Sequence, residues 1–209
     1  MKQAVIFDVD GVILNSEVFY QQRRKQFFQT KGITLSEEDN QAFIGSNPKA
    51  MMRHLFPNDP NMQEKMREEY LTFSKGLVYD TRELLNPDVN VVLPQLQAKG
   101  IRLAIASSGS PEGIHKMLVA NDLLNYFELV VSGEMFEESK PNPQIYRYTI
   151  DQLGLKEEAC LVVEDSTLGI RAAKAAGLEV LALVQRDYEV DQQLADARIQ
   201  SLNDVLEYL

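Results

Sequence analysis

Two carboxylates, Asp8 and Asp10, stand two residues apart where the apolar run from Ala4 ends, and Gly11 follows them. On a strand end this spacing puts both on one face if pleating continues, and Gly11 frees the backbone to turn there. Nearby carboxylates repel, so one keeps a proton or a cation sits between them. Three more groups occur in similar places. Ser107-Ser108-Gly109 follows the run Ile101–Ala106, Lys140-Pro141 follows Leu129–Ser132 and a loop, and Glu164-Asp165 ends the run from Cys160. Convergence of Asp8, Asp10, Glu164 and Asp165 calls for a hard divalent ion. Mg²⁺ takes one or two carboxylates plus phosphate oxygens and water. Lys140 and the Ser107 hydroxyl then supply charge and hydrogen bonds to the equatorial oxygens of a transferring phosphoryl group. An Mg²⁺ and Lys140 together offset three of the four negative charges. The chemistry that these residue types suggest is metal-dependent phosphoryl transfer.

Each group has a plainer reading when taken alone. Ser107 and Ser166 suit helix N-caps, Lys140 suits a solvated loop, and Asp8-Val9-Asp10 suits a surface turn. Their occurrence at four successive strand ends is what carries the functional reading. Other chemistries drop out. His54 and His115 are the only histidines, and neither has a His or Cys partner at ligand spacing, which leaves zinc sites and Ser-His-Asp triads without support. No P-loop or dinucleotide glycine string occurs.

The elements that must position these groups show two textures. Apolar runs at Ala4–Val9, Ile101–Ala106, Leu129–Ser132, Cys160–Glu164 and Val180–Val184 predict strands covered on both faces. Helices lie between them. Ser110-Pro111 opens one, Asn142-Pro143 opens another that Gly154 closes, and Gly177 closes the helix holding Arg171–Ala176. Pro94 interrupts Val89–Leu96, so that helix is expected to start late or to kink. This alternation predicts an α/β, doubly wound parallel sheet of Rossmann-like type, which binds ligands at the carboxyl ends of its strands. From about Glu17 to Thr81 only helical spacings occur. Ser36 with Asp39 forms a capping box, and Asn47-Pro48 is an N-cap with proline in the first turn. Met51, Met52, Leu55 and Phe56 share a face. Met62, Met66, Tyr70, Phe73 and Leu77 form a stripe that reads as core packing.

Composition bounds the rest. The 209 residues carry a net charge of −10 and one cysteine. This length makes one large domain, or one domain plus an insert, and buries enough surface to need no staple. Cys160 has no partner for an intrachain disulfide, which fits a reducing compartment, and it reads as a buried small hydrophobe. No run approaches the ~20 apolar residues of a membrane span, and no secretory core is visible. The acid excess argues against nucleic acid and anionic membranes as partners. A cytoplasmic globule acting on a small molecule is expected, and a monomer is compatible with the sequence.

At this point a family resemblance enters. Phe7-Asp8-Val9-Asp10-Gly11-Val12, Ala106-Ser107-Ser108-Gly109, Lys140-Pro141-Asn142-Pro143 and Glu164-Asp165-Ser166 with Gly169-Ile170 resemble, in order and spacing, the four motifs of the haloacid dehalogenase superfamily. The resemblance implies a catalytic core at 1–15 and 86–209, with an α-helical cap domain inserted at 16–85. It implies Mg²⁺-dependent hydrolysis of a small phosphorylated metabolite through an aspartyl-phosphate. Asp8 would be nucleophile and metal ligand. Asp10 would be general acid/base and bind the metal through its backbone carbonyl. Ser107, Ser108 and Lys140 would hold the phosphoryl group, and Asp165 with Glu164 would complete the metal site. Asp10 favours phosphate esters over carbon–halogen bonds, because a leaving alkoxide needs a proton. The branch most resembled contains β-phosphoglucomutase and phosphatases. Tyr20 replaces the mutases' histidine, and Asn47-Pro48-Lys49 replaces the stretch holding their cap arginine, while Lys75 stands where they place a lysine. Asn15, at the expected hinge, replaces a frequent aspartate. A hexose-phosphate mutase is therefore the first alternative. A receiver-like phospho-acceptor module is the second, although receivers lack a large cap. Ser16, Tyr20, Asn47, Lys49, Arg53 and Lys75 are the candidate cap contacts to substrate.

Overall fold

The computed structural model describes residues 1–77 and 79–209. Six strands form one parallel sheet: β1 Ala4–Phe7, β2 Arg102–Ser107, β3 Leu129–Ser132, β4 Cys160–Glu164, β5 Glu179–Leu183 and β6 Ala197–Ile199. Their order is β3-β2-β1-β4-β5-β6, with β1 central. Every residue of β1 is fully buried, as a strand covered on both faces requires. The pleat divides its side chains. Val5 and Phe7 pack with α5 (Val89–Ala98), α6 (Pro111–Ala120) and the C-terminal turn at Leu202–Tyr208. Ala4 and Ile6 pack with α7 (Gln144–Leu153) and α8 (Thr167–Ala175), where Ala104, Ala106, Ala172 and Ala173 let the layers approach closely.

Among the described residues, four helices lie between β1 and α5: α1 Glu17–Thr30, α2 Glu37–Ala42, α3 Pro48–Leu55 and α4 Pro60–Lys75. They close on their own core of Phe27, Phe28, Phe43, Met51, Met52, Met66 and Tyr70. The two crossings between the layers are tied together. Leu14 and Leu85 form an antiparallel bridge, Asn15 N donates to Leu84 O at 2.7 Å, and Asn86 N donates to Ile13 O at 3.0 Å. Among the described residues no helix is long and apolar enough to cross a membrane.

Several local expectations change. β6 was not visible in the sequence because Ala197-Arg198-Ile199 has no apolar run and pairs only at the sheet edge. α5 starts at Val89 and continues through Pro94. Pro94 and Asn90, whose carbonyl loses its donor, are both exposed residues. The cap of α7 is Pro143, while the Asn142 carboxamide oxygen accepts from Gln144 N at 3.0 Å. The Met62–Leu77 stripe loses its last member because α4 ends at Lys75, before Gly76.

Candidate active site

β1 lies where the strand order reverses, and the cleft opens at the carboxyl ends of β1, β2 and β4. Asp8 is the first residue past β1, held in register by its N–H on Val163 O at 3.0 Å. Its carboxylate is buried and accepts from Lys140 Nζ at 2.7 Å. The same ammonium donates to Glu164 Oε1 at 2.6 Å and to Ala106 O at 2.9 Å, so all three of its donors are used. Tyr146 on α7 donates to Glu164 Oε1 at 2.8 Å, and its ring centroid lies 5.0 Å from Lys140 Nζ. Glu164 Oε2 accepts from Asp165 N at 3.0 Å, Ser166 N at 3.2 Å and Ser166 Oγ at 3.1 Å. Glu164 is thus surrounded by donors. Ser166 Oγ also caps α8 by accepting from Gly169 N at 3.0 Å.

Two glycines make room for this packing. A Cβ at Gly169 would stand 1.7 Å from Glu164 Oε1. One at Gly11 would stand 2.1 Å from Asp165 Oδ2, on a backbone with φ of +84°. Asp165 Oδ2 accepts from Tyr188 OH at 2.5 Å, and Gln192 Nε2 donates to the Asp165 carbonyl at 2.8 Å. Asp165 Oδ1 is buried and accepts no hydrogen bond among the described residues. Oxygens of Asp8, Glu164 and Asp165 lie within 4.8 Å of one another. An all-oxygen donor set with an unpartnered buried carboxylate oxygen fits a hard divalent cation.

The charges agree with that fit. Burial pushes the Asp8 carboxyl up to about 8 even though Lys140 opposes it. Burial, with Glu164 and Asp8 adding to it, raises Asp165 well above the carboxylate range. Burial would lower Lys140, but Asp8 and Glu164 outweigh it and hold the ammonium charged. Three carboxylates around one ammonium leave negative charge that a cation would relieve.

Asp10 turns away from this cluster towards the helical layer. Ser16 Oγ donates to it at 2.5 Å. Burial raises its pKa against this hydrogen bond, the Tyr20 hydroxyl and the nearby Arg23 charge. Tyr20 OH lies 2.7 Å from Tyr79 OH. Ser107 Oγ, at the end of β2, accepts from Gly109 N at 3.1 Å, and the cap of α6 is Ser110 instead. Ser108 Oγ donates to Gly45 O at 2.9 Å, tying sheet to helical layer.

A cavity of about 300 Å³ brings Asp8, Asp10, Ser107, Ser108, Tyr20 and Asn47 together. The Asn47 oxygen, however, is spent on capping α3 through Ala50 N at 2.9 Å. Lys49 and Arg53 line a separate cavity beside the Lys140 loop, where Lys49 Nζ donates to Glu137 O at 3.0 Å. Lys75 is exposed and lines neither cavity. Tyr146, Tyr188, Arg23 and the Glu17–Arg24 pair went unnoticed in the sequence. Each reaches the site from an element with no motif of its own.

The haloacid dehalogenase-like hydrolase family model matches residues 5–183. A phosphorylated carbohydrates phosphatase of Thermotoga maritima is 30% identical over 94% of this chain and 88% of its own length. A phosphoglycolate phosphatase of Aquifex aeolicus is 25% identical over 99% of this chain and 96% of its own. The crystal structure of a β-phosphoglucomutase from Clostridium difficile superposes with a TM-score of 0.84, at 18% identity, over 100% of this chain and 95% of that one. That last likeness is one of fold.

Proposed function

The chain belongs to the haloacid dehalogenase-like hydrolases, and from that premise we propose an Mg²⁺-dependent phosphatase that hydrolyses small phosphorylated metabolites through a phospho-Asp8 intermediate. The observation that carries the reading is the buried Asp8–Lys140–Glu164 chain beside the unpartnered Asp165 oxygen, with Asp8 also lining the cavity that holds Asp10 and Ser107. The names of the relatives, phosphatases of phosphorylated carbohydrates and of phosphoglycolate, support the substrate class.

In this reading Asp8, Asp165 and the Asp10 carbonyl would hold the metal, with Glu164 assisting. The ion supplies charge neutralisation that lets a phosphate anion enter an acidic cleft. An Asp8 oxygen attacks phosphorus, forming the O–P bond of the aspartyl-phosphate as the bond to the leaving oxygen breaks. Asp10, whose pKa burial raises, holds a proton for the leaving alkoxide and then takes one from the water that hydrolyses the intermediate. Ser107 binds an equatorial oxygen, Lys140 turns to another the donor that it spends on Asp8 in the free protein, and Glu164 with Tyr146 fixes the ammonium. Lys75, the residue that pointed to the mutase alternative, is exposed and does not line the cavity, so it lends that alternative no support.

The test is a phosphate-release screen over sugar phosphates, nucleotides and phosphoglycolate, in Mg²⁺ and in excess chelator. Free phosphate that depends on Mg²⁺ is the expected result. A rearranged sugar phosphate without free phosphate would instead identify a mutase, and full activity in chelator would remove the metal from the account.

A further inference from the structure

We propose that Arg23 determines specificity in this cavity by binding a second oxyanion, a carboxylate or a phosphate, at the far end of the substrate. The inference rests on the phosphatase reading above and names the substrate class within it.

Glu17, Tyr20 and the two arginines lie three to four residues apart on α1, so they share the face turned to the cavity. The two arginines differ in what they are bound to. Arg24 pairs its Nη2 with Glu17 Oε1 at 2.6 Å inside the protein, so its charge is already met by a carboxylate, although its buried Nε has no partner among the described residues. Arg23 has no carboxylate at ion-pair distance among the described residues. Its Nε donates to Tyr70 OH at 3.1 Å. Its guanidinium carbon lies 4.5 Å from the Tyr20 ring centroid, 5.5 Å from that of Tyr70 and 5.8 Å from that of Phe19.

This arrangement fixes the group and leaves part of it unspent. The rings hold the guanidinium by cation–π attraction, Nε is used, and the two terminal nitrogens have no hydrogen-bond partner among the described residues. A planar guanidinium fork with free terminal donors matches carboxylate or phosphate oxygens in bidentate geometry. Arg23 lines the same cavity of about 300 Å³ as Asp8 and Ser107. That volume is at the low end for small-molecule sites and admits an ester of only a few carbons. A short substrate with its phosphate at Asp8 thus brings its other end towards Arg23. Lys49 and Lys75 do not line this cavity, which leaves Arg23 as its unpaired cation on the helical side.

Arg23 also lowers the pKa of Asp10, so a purely electrostatic role in proton transfer is the competing account. Such a role would change kcat alike for every substrate and leave binding preferences in place. The experiment therefore measures binding. Calorimetry in Mg²⁺ on the Asp8→Asn protein compares 3-phosphoglycerate with glycerol 3-phosphate, and glycerol 1,3-bisphosphate with glycerol 3-phosphate. The doubly anionic member of at least one pair is expected to bind about tenfold or more tightly, the size of one charged hydrogen-bonded contact. Adding Arg23→Gln erases the preference, and Arg23→Lys, which keeps charge without the fork, retains part of it. A preference confined to the first pair identifies a carboxylate, and one confined to the second identifies a phosphate. No preference in either pair, or a preference that survives Arg23→Gln, overturns the inference. Phosphate release by the unmodified protein from the same compounds tests the phosphatase reading separately. Its absence beside an Arg23-dependent preference would sink that reading and leave this inference standing.

Discussion

Lys140 holds the site together at the level of single residues. It joins Asp8 at 2.7 Å to Glu164 at 2.6 Å, both buried, and has no exposed alternative partner. Removing one member of a buried ion pair leaves charge uncompensated, which costs about 3–5 kcal/mol. Lys140→Ala should therefore lose both activity and about that much stability in urea unfolding of the metal-free protein. A loss below about 1 kcal/mol would show that the ammonium is dispensable to the fold. Lys140 was legible in the sequence, as were Asp8, Ser107 and Asp165, because each stands just after a strand or on the loop that follows one. Tyr146 and Tyr188 were not legible. Their hydroxyls meet Glu164 and Asp165 only because α7 and the loop after β5 fold back over β4. No local spacing records that meeting.

At the level of elements, close approach of α8 to the end of β4 is what brings Glu164 and Asp165 into the cleft. Gly169 permits it, since a Cβ there would run into the Glu164 carboxylate, 1.7 Å from Oε1 and 2.0 Å from Cδ. Gly169→Ala should destabilise by about 1–3 kcal/mol, the usual cost of overpacking, and should lower activity by displacing Glu164 and Lys140. Thermal unfolding together with phosphate release checks this; an unchanged midpoint with full activity would mean that α8 shifts freely. Five of the six strands were legible because buried parallel strands are continuous apolar runs. β6 escaped because a three-residue edge strand needs no such run. The helix through Pro94 was expected to start late or to kink, and it starts at Val89 instead; the hydrogen bond that Pro94 removes is the one to the carbonyl of Asn90, an exposed residue.

Across the whole molecule the net charge of −10 sets how stability should respond to pH. Burial pushes Glu17 up to about 7 against the opposing Arg24, and Asp8 up to about 8 against Lys140. Both values lie above the ordinary carboxylate range of the unfolded chain, so the folded state keeps protons that the unfolded state releases. The stabilising contribution is fully present below about pH 4 and is lost as pH rises through about 7 to 8. Urea midpoints of the metal-free protein should accordingly fall between about pH 5 and pH 8, and Glu17→Gln should flatten the lower part of that slope. A slope that Glu17→Gln leaves untouched would place the titration elsewhere.

The central claim is that Asp8 attacks phosphorus, and the most direct measurement is the rate of phosphate release from p-nitrophenyl phosphate by Asp8→Asn in saturating Mg²⁺. A carboxamide of nearly the same shape keeps the fold and removes the nucleophile. The account predicts a loss on the order of a thousandfold or more, the scale seen when a nucleophile is deleted. A rate equal to that of the unmodified protein would contradict it.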